Sequence, residues 1–445
     1  MLKPRANVET TMSNLLSPVI TGLGAVAPLG VGVPAFVAGL RAGRSGVRPL
    51  DFEHPRMKSR VAAGVPASVF DPRSVLDEAD IARLPKLVPM ALAAAREALG
   101  TAGLMVEGDL ETSRRVGLIL GTGGGGIDFT LDQYAAAYSG KNASLWTITN
   151  ATHGNLAGEL SIRLGLRGPS WCVSTGCASS SDALGLAMQT LRAQNPESPT
   201  ALEAMVVIGA DAHVRWETLY AMELLKVITA RDPALAGEEA ASASRPFDAT
   251  RDGFVLGEGA WAVVLERADA ARRRATRVLG SALGYAATCD AFHRVRPDPD
   301  MIESARAMTL ALDDAGLKPD DVVLAHYHGT STRLNDAAET RAVKRAFGPH
   351  AERLIGHSIK GAIGHPQGAC GLAAVVATLG ALGNADAGPA AFAPPTINLR
   401  TPDPECDLDY TPNHARRLDG TAGVVALVNC LAFGAKNSAL VLRGP

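Results

Sequence analysis

The chain has 445 residues, 47% of them hydrophobic and 20% charged, with a formal net charge of −2. That length fits about two or three globular domains, and a near-neutral balance without a Lys/Arg block argues against nucleic acid as a partner. No apolar run reaches the roughly 18 residues of a membrane-spanning helix. Residues 1–17 lack the long apolar stretch of a signal peptide and are expected to form a flexible N-terminal extension. The six cysteines, Cys172, Cys177, Cys289, Cys370, Cys406 and Cys430, form no CxxC pair and no metal-like spacing with histidine. In a chain this large they point to reduced thiols in the cytoplasm.

Val19–Gly30 (VITGLGAVAPLG) reads as a buried strand running into a glycine-rich turn, and Val33–Ala42 as a helix. Val88–Leu99 is an Ala/Leu-rich helix whose Pro89 is tolerable in the first turn. Val116–Gly121 is a fully apolar strand followed by the loop Thr122–Gly126, and Glu203–Asp211 and Ala260–Glu266 read as further buried strands. Asn195–Thr200 is a loop between helix and strand. In the second half, Ile302–Ala315 and Gly371–Leu382 read as helices, and Asp321–His326, Gly423–Cys430 and Ser438–Leu442 as strands. Apolar strands alternating with helices predict an α/β fold whose sheets are covered on both faces. The rhythm repeats, so two similar halves are expected, joined near Ala268–Arg277.

Four segments carry candidate chemistry. Cys177 lies in STGCASSSD, between a short apolar run and a helix-like stretch with Ala183, Leu184, Leu186, Ala187 and Leu191 at helical spacing. A thiol at a helix N-terminus is favoured as thiolate and suits nucleophilic catalysis; an inert buried cysteine is the alternative. His328 follows an apolar strand in HYHGTST, a common place for catalytic groups in α/β folds. His365 ends GHSIKGAIGH and opens the Ala-rich helix, where a helix N-terminus keeps imidazole neutral. His357 is the rival in the same segment. In NCLAFGAKN, Phe433 stands alone among small residues between two apolar strands.

The order of these segments resembles the β-ketoacyl-(acyl carrier protein) synthase family, the condensing enzymes of fatty acid and type II polyketide assembly. The matching stretches are VITGLGAVAPLG, STGCASSSDALG, RPFDATRDGFVLGEGA, HGTSTRLNDAAET, SIKGAIGHPQGACG, PPTINLRTPDPECDLDY and LAFGAKNSALVL, from Val19 to the C-terminus. The resemblance implies a thiolase-like five-layer αβαβα fold. Residues 18–270 would form the half with the nucleophilic cysteine, and residues 271–445 the half with both histidines. It implies that Cys177 accepts an acyl chain and that His328 and His365 stabilise the enolate formed as malonyl carrier protein loses CO₂. Lys360 would order this network, the N–H groups of Cys177 and Phe433 would form an oxyanion hole, and Phe433 would gate entry. Thr330 and Thr332 would grip the pantetheine arm, and Gly124, Trp146 and Thr147 would bind the acyl substrate. No metal or organic cofactor is implied. The implied partners are acyl carrier protein and a second subunit, in a homodimer or a heterodimer with a chain-length factor. Arg60, Arg83 and Lys86 are candidates for a basic docking patch.

Departures from the family pattern favour the catalytic ketosynthase of a type II polyketide or polyene system. The alternatives are a housekeeping fatty acid ketosynthase II, a non-catalytic chain-length-type subunit and a CoA-dependent thiolase. Ala374 stands where the family has a glutamate near the lysine, so Lys360 is expected to pair with Asp336 or Glu339. Gly434-Ala435-Lys436-Asn437 replaces the usual Gly-Gly-Thr/His-Asn. Gly124 replaces a bulky residue, which is expected to leave pocket volume open for long, rigid or polyunsaturated chains.

Overall fold

A computed structural model describes residues 18–104, 106, 108–234, 237–383, 391–418 and 423–445; the expected extension over residues 1–17 lies outside them. Ten strands carry the architecture: β1 (Val19–Ala27), β2 (Val116–Gly121), β3 (Ser170–Val173), β4 (Ala204–Asp211), β5 (Gly259–Glu266), β6 (Gly280–Cys289), β7 (Leu324–His326), β8 (Ile355–His357), β9 (Val425–Ala432) and β10 (Lys436–Arg443). Their order is β8-β7-β9-β10-β6-β1-β5-β4-β2-β3, with Gly30–Val31 beside β1.

From the centre outward the first five strands run 1-5-4-2-3 and the last five 6-10-9-7-8, the same order twice. In each set the two inner pairings are antiparallel and the two outer ones parallel. Among the described residues, the sets pair edge to edge only through Val19–Ser281 and Ile20–Gly280. The repeated rhythm of the sequence is therefore a repeated topology, two five-stranded sheets.

Helices complete five layers. Outside the first sheet lie α1 (Leu87–Ala102) and α2 (His153–Leu164), between the sheets α3 (Ser179–Arg192) and α6 (Cys370–Gly383), and outside the second α4 (Ile302–Ala315) and α5 (Arg333–Phe347). Side chains alternate across a strand, and β2 shows what that does in a sheet covered twice. Leu118 and Leu120 pack with Leu92 of α1 and Leu160 of α2. Ile119, between them, packs with Leu184 of α3 and Val376 of α6. Opposite, Met308 and Leu312 of α4 and Val343 of α5 close over Leu427 and Val441. Cys370 through Leu382 of α6 are all buried, as expected for a helix that is apolar all round. Gly22 and Gly24 of β1 let α1 lie close, because a Cβ at either would sit 2.0 or 1.9 Å from the carbonyl oxygens of Ala98 and Ala94.

Most expected elements occur within a residue or two of their sequence limits. The strand expected over Asp321–His326 shortens to β7, because Pro319–Asp321 forms a 3₁₀ turn. No helix of the described residues is long and apolar enough to cross a membrane.

Candidate active site

After β3 the chain makes a 3₁₀ turn, Gly176–Ala178, and enters α3 at Ser179. Gly176 takes φ +67°, in the left-handed region that glycine enters without a Cβ clash. The Ser179 hydroxyl pins the turn, donating to the Gly176 carbonyl at 2.6 Å and accepting from the Thr175 N–H at 2.9 Å. Cys177 is thereby held with only 4% of its surface exposed. Its Sγ lies 3.2 Å from His365 Nε2 and faces the Phe433 N–H. Burial pushes the thiol up to about 12, with Lys360 acting the other way. This corrects the expectation of a thiolate at the helix N-terminus. Desolvation of the sulfur outweighs the helix end, so the resting group is a thiol beside a base.

His328 stands two residues past the end of β7. Its loop is held from behind by two carboxylates of α5. Glu339 accepts from the N–H groups of His328 at 2.6 Å and Gly329 at 2.8 Å, and Asp336 from those of Thr330 at 2.9 Å and Ser331 at 3.1 Å. Burial raises both carboxyls, Glu339 to about 7. Neither meets the expectation of a partner for Lys360. Lys360 Nζ instead donates to the His328 carbonyl oxygen and lies 3.5 Å from His328 Nδ1, because the backbone N–H groups already occupy both carboxylates. Its charge is thus delivered to the histidine.

The His328 and His365 rings stand 5.2 Å apart and nearly perpendicular. Burial, aided by Lys360, holds both well below the usual imidazole range, so both are neutral. His365 does not open α6, which starts at Cys370; its N–H bonds to the Val255 carbonyl at 2.7 Å. Its neutrality comes first from burial. His357, the sequence rival, faces His326 with ring centres 4.5 Å apart and does not line the Cys177 cavity.

Cys177, His328, His365, Thr330, Thr332 and Phe433 line one cavity of about 360 Å³. The Thr330 and Thr332 hydroxyls are 3.0 Å apart. Phe433 opens the tight turn between β9 and β10, where Gly434 and Ala435 both take left-handed φ. Lys226, Arg296, Arg333 and Lys436 also line this cavity, whereas Arg60, Arg83 and Lys86 do not. Lys86 pairs with buried Glu258 at 2.5 Å.

The expected acyl-binding residues are not gathered there. A Cβ at Gly124 would sit 2.7 Å from His213 Nδ1. The volume expected to stand open is filled by the His213 ring. Trp146 lines a separate cleft with Arg83 and Asn150, and the Thr147 hydroxyl donates to the Ser144 carbonyl at 2.5 Å. Two residues that sequence reasoning missed do belong to the site. Asp211 binds the Thr122 hydroxyl at 2.7 Å, the Gly123 and Gly124 N–H groups at 2.9 Å each and the Gly368 N–H at 2.7 Å, clamping the glycine loop to the turn before α6. Gln367 in that turn has its Oε1 3.8 Å from Cys177 Sγ. Its only sequence signal was its place two residues after His365.

Comparison with known proteins agrees with this geometry. Residues 18–271 match the family model described as beta-ketoacyl synthase, N-terminal domain, and residues 279–400 the beta-ketoacyl synthase, C-terminal domain. A 3-oxoacyl-(acyl-carrier-protein) synthase 2 of Synechocystis sp. is 36% identical over 428 residues, covering 96% of this chain and 97% of that one. Among solved structures, a type II polyketide synthase carrier protein in complex with its ketosynthase bound to the hexaketide superposes with a TM-score of 0.83 at 28% identity, over 97% of this chain and 100% of that one. The ishigamide ketosynthase/chain length factor gives 0.82 at 30% identity, over 97% and 99%. With the matched models reaching into both sheets and taking in Cys177, His328 and His365, the chain belongs to the β-ketoacyl synthase family.

Proposed function

We propose that the protein is a β-ketoacyl-(acyl carrier protein) synthase, the catalytic ketosynthase of a type II polyketide system. The observation that carries this reading is the buried Cys177 thiol, 3.2 Å from neutral His365, in one cavity with neutral His328. His365 Nε2 takes the thiol proton as Sγ attacks the thioester carbonyl of an acyl carrier protein. The developing oxyanion is held by the N–H groups of Cys177 and Phe433. The C–S bond to the carrier breaks, and the carrier thiol leaves with that proton. Malonyl carrier protein then enters. The imidazole N–H of His328, and that of His365 once its single proton has moved from Nδ1 to Nε2, hold its thioester carbonyl while the bond to the carboxylate breaks, CO₂ leaves and its electron pair becomes an enolate. The enolate carbon attacks the acyl–Cys177 carbonyl, the carbon–carbon bond forms, the carbonyl re-forms as Sγ leaves as a thiolate, and Sγ takes a proton from solvent. Lys360, on His328, positions that imidazole and adds to the burial that keeps it neutral. Neutral imidazoles are needed, since only an imidazole that already carries a single proton can accept from the thiol and later donate to the enolate oxygen.

Loss of CO₂ supplies the carbanion, so this reaction requires no metal or organic cofactor, and turnover is expected to survive a chelator. Lys226, Arg296, Arg333 and Lys436 at the cavity give a cationic approach suited to the phosphate of a pantetheine arm. A second subunit, an identical copy or a chain-length factor, would cover β3, which among the described residues pairs only with β2 and carries exposed Trp171. A free Cys177 thiol suits the reducing cytoplasm. The test is intact mass after incubation with acyl carrier proteins of several chain lengths, beside Cys177→Ala. An acyl adduct absent from the variant supports the reading; no adduct with any chain, alone or with a partner subunit, sinks it.

A further inference from the structure

Two further thiols pack against the nucleophile, and the reaction above uses neither. Cys370 at the start of α6 and Cys430 in β9 are buried in one cluster with Cys177. They are 60 residues apart in the chain, yet their Sγ atoms lie 3.9 Å from each other. A ring nitrogen of His328 completes a triangle with these two sulfurs, every donor atom within 4.8 Å of the others. That spacing suits ligands around one ion: two thiolates bound about 2.3 Å from a tetrahedral zinc stand about 3.8 Å apart. Behind the triangle the Ser181 hydroxyl donates to the Cys430 sulfur at 3.2 Å, the kind of outer contact that orients a metal-bound thiolate. The Cys370 thiol donates to the Cys177 carbonyl at 3.1 Å, a contact the ion would replace.

We propose that Cys370, Cys430 and His328 form a binding site for one thiophilic divalent cation such as Zn²⁺, and that an ion seated there inhibits the protein by withdrawing His328 from the malonyl thioester. The site stands on its own geometry; its effect on turnover rests on the ketosynthase reading. On binding, each thiol releases its proton to solvent, two sulfur–metal bonds and one nitrogen–metal bond form, and the ion sheds water. Two thiolates and a neutral imidazole cancel the charge of the ion, so the buried set is neutral in total. Cys177, His328 and His365 are as close to one another. They offer a single thiolate, however, and would leave net positive charge buried beside Lys360, whose Nζ is 3.5 Å from His328 Nδ1. Sulfur and imidazole donors select zinc-like ions over magnesium and calcium, which take oxygen. His328 lines the Cys177 cavity and the two cysteines do not, so the ion enters past the imidazole. Cys177 and His365 stay free, and acylation continues while condensation stops.

The experiment titrates the full chain with Co²⁺, whose thiolate complexes show a charge-transfer band in the near ultraviolet, and then with Zn²⁺. The native protein is expected to bind one cobalt per chain with that band, and zinc to displace it. Cys370→Ala and Cys430→Ser are each expected to lose the band, whereas Cys177→Ala keeps it. In turnover assays, one equivalent of zinc is expected to abolish 3-ketoacyl formation by the native protein while intact mass still shows acylation of Cys177. The two cysteine variants are expected to keep turning over at that zinc concentration. If one of them does not fold, as judged by its thermal melt, the other decides; if neither folds, the band in Cys177→Ala decides. No band in the native protein, or a band that survives in the folded cysteine variants and vanishes in Cys177→Ala, overturns the site. Zinc that blocks acylation together with condensation, or leaves both untouched, overturns the inhibition through His328. A chain that binds cobalt as expected but takes no acyl group from any carrier protein overturns the ketosynthase reading and leaves the metal site standing.

Discussion

The turn before α3 and the turn before α6 occupy the same place in the two halves of the molecule. Each follows the outermost strand of its sheet, each is a 3₁₀ turn of three residues, and each feeds one of the two central helices. They differ in what precedes the turn. Between β3 and the first turn lie only Ser174 and Thr175. Between β8 and the second lie residues 358–366, which carry Lys360 and His365. The first turn is glycine-led and presents a thiol. The second is led by a strained glutamine and lies against that thiol. The repeated topology thus brings two equivalent helix entrances together between the sheets, and the longer approach in the second half supplies the base and the lysine. A symmetric scaffold positions an asymmetric site.

Removing the chemistry from the first turn should have the largest effect. Cys177→Ala is expected to abolish the acyl adduct and condensation completely, read by intact mass and product formation. Next comes the longer approach of the second turn. Lys360→Met leaves the His328 carbonyl without its charged donor and is expected to cost about 2 kcal/mol in the condensation step, roughly thirtyfold in kcat. Its readout is kcat against KM, since a positioning role shifts kcat with KM little changed.

Gly124→Ile tests the clamp between the halves. Its Cβ would collide with the His213 ring, so the variant is expected to lose about 1–3 kcal/mol of stability through overpacking, seen as a lowered Tm. Shorter products at unchanged Tm would instead restore the open-pocket expectation.

His357 sits on β8, at the start of the longer approach. Burial takes it down to about 3, and both its ring nitrogens lack partners. An unfolded histidine binds a proton below about pH 6.5 and this folded one does not. Its contribution to stability is therefore complete above pH 6.5 and declines as pH falls toward 3. His357→Leu is expected to gain about 2 kcal/mol relative to the native protein at pH 5 compared with pH 7.5, measured by denaturant unfolding at both pH values.

The smallest effect concerns the backbone of the two turns. Gln367→Gly gives the second turn the residue its duplicate has. Relief of strain at φ +45° is expected to raise stability by about 1 kcal/mol, checked by chemical denaturation. A loss of stability would mean that the two turns differ more than their backbones suggest.

Much of this was legible in the chain. The strands β2, β4 and β5 and the helices α4 and α6 announce themselves because they are enclosed or strongly periodic, and burial writes itself into composition. Cys177, His328 and Phe433 could be singled out because each sits in a short motif of small residues at an element's end, whereas Thr330, Thr332 and the choice of His365 over His357 came from the resemblance to the synthase family. α5, by contrast, is RLNDAAETRAVKRAF, with polar Asp336 and Glu339 turned inward, and its periodicity is masked by the backbone donors they serve. β8 is only three residues long and too short to show a period.

Sequence alone determined the α/β class, the two-half organisation and the Cys–His–His set, because these depend on local pattern and on motif order. Tertiary structure alone decided the protonation and the partners. The cysteine is a thiol because desolvation, a property of everything packed around it, exceeds the pull of one helix end. Lys360 serves His328 because the nearby carboxylates are already filled by backbone donors from residues 328–331. Gln367 meets Cys177 across 190 residues of chain only because the two sheets enclose one central layer.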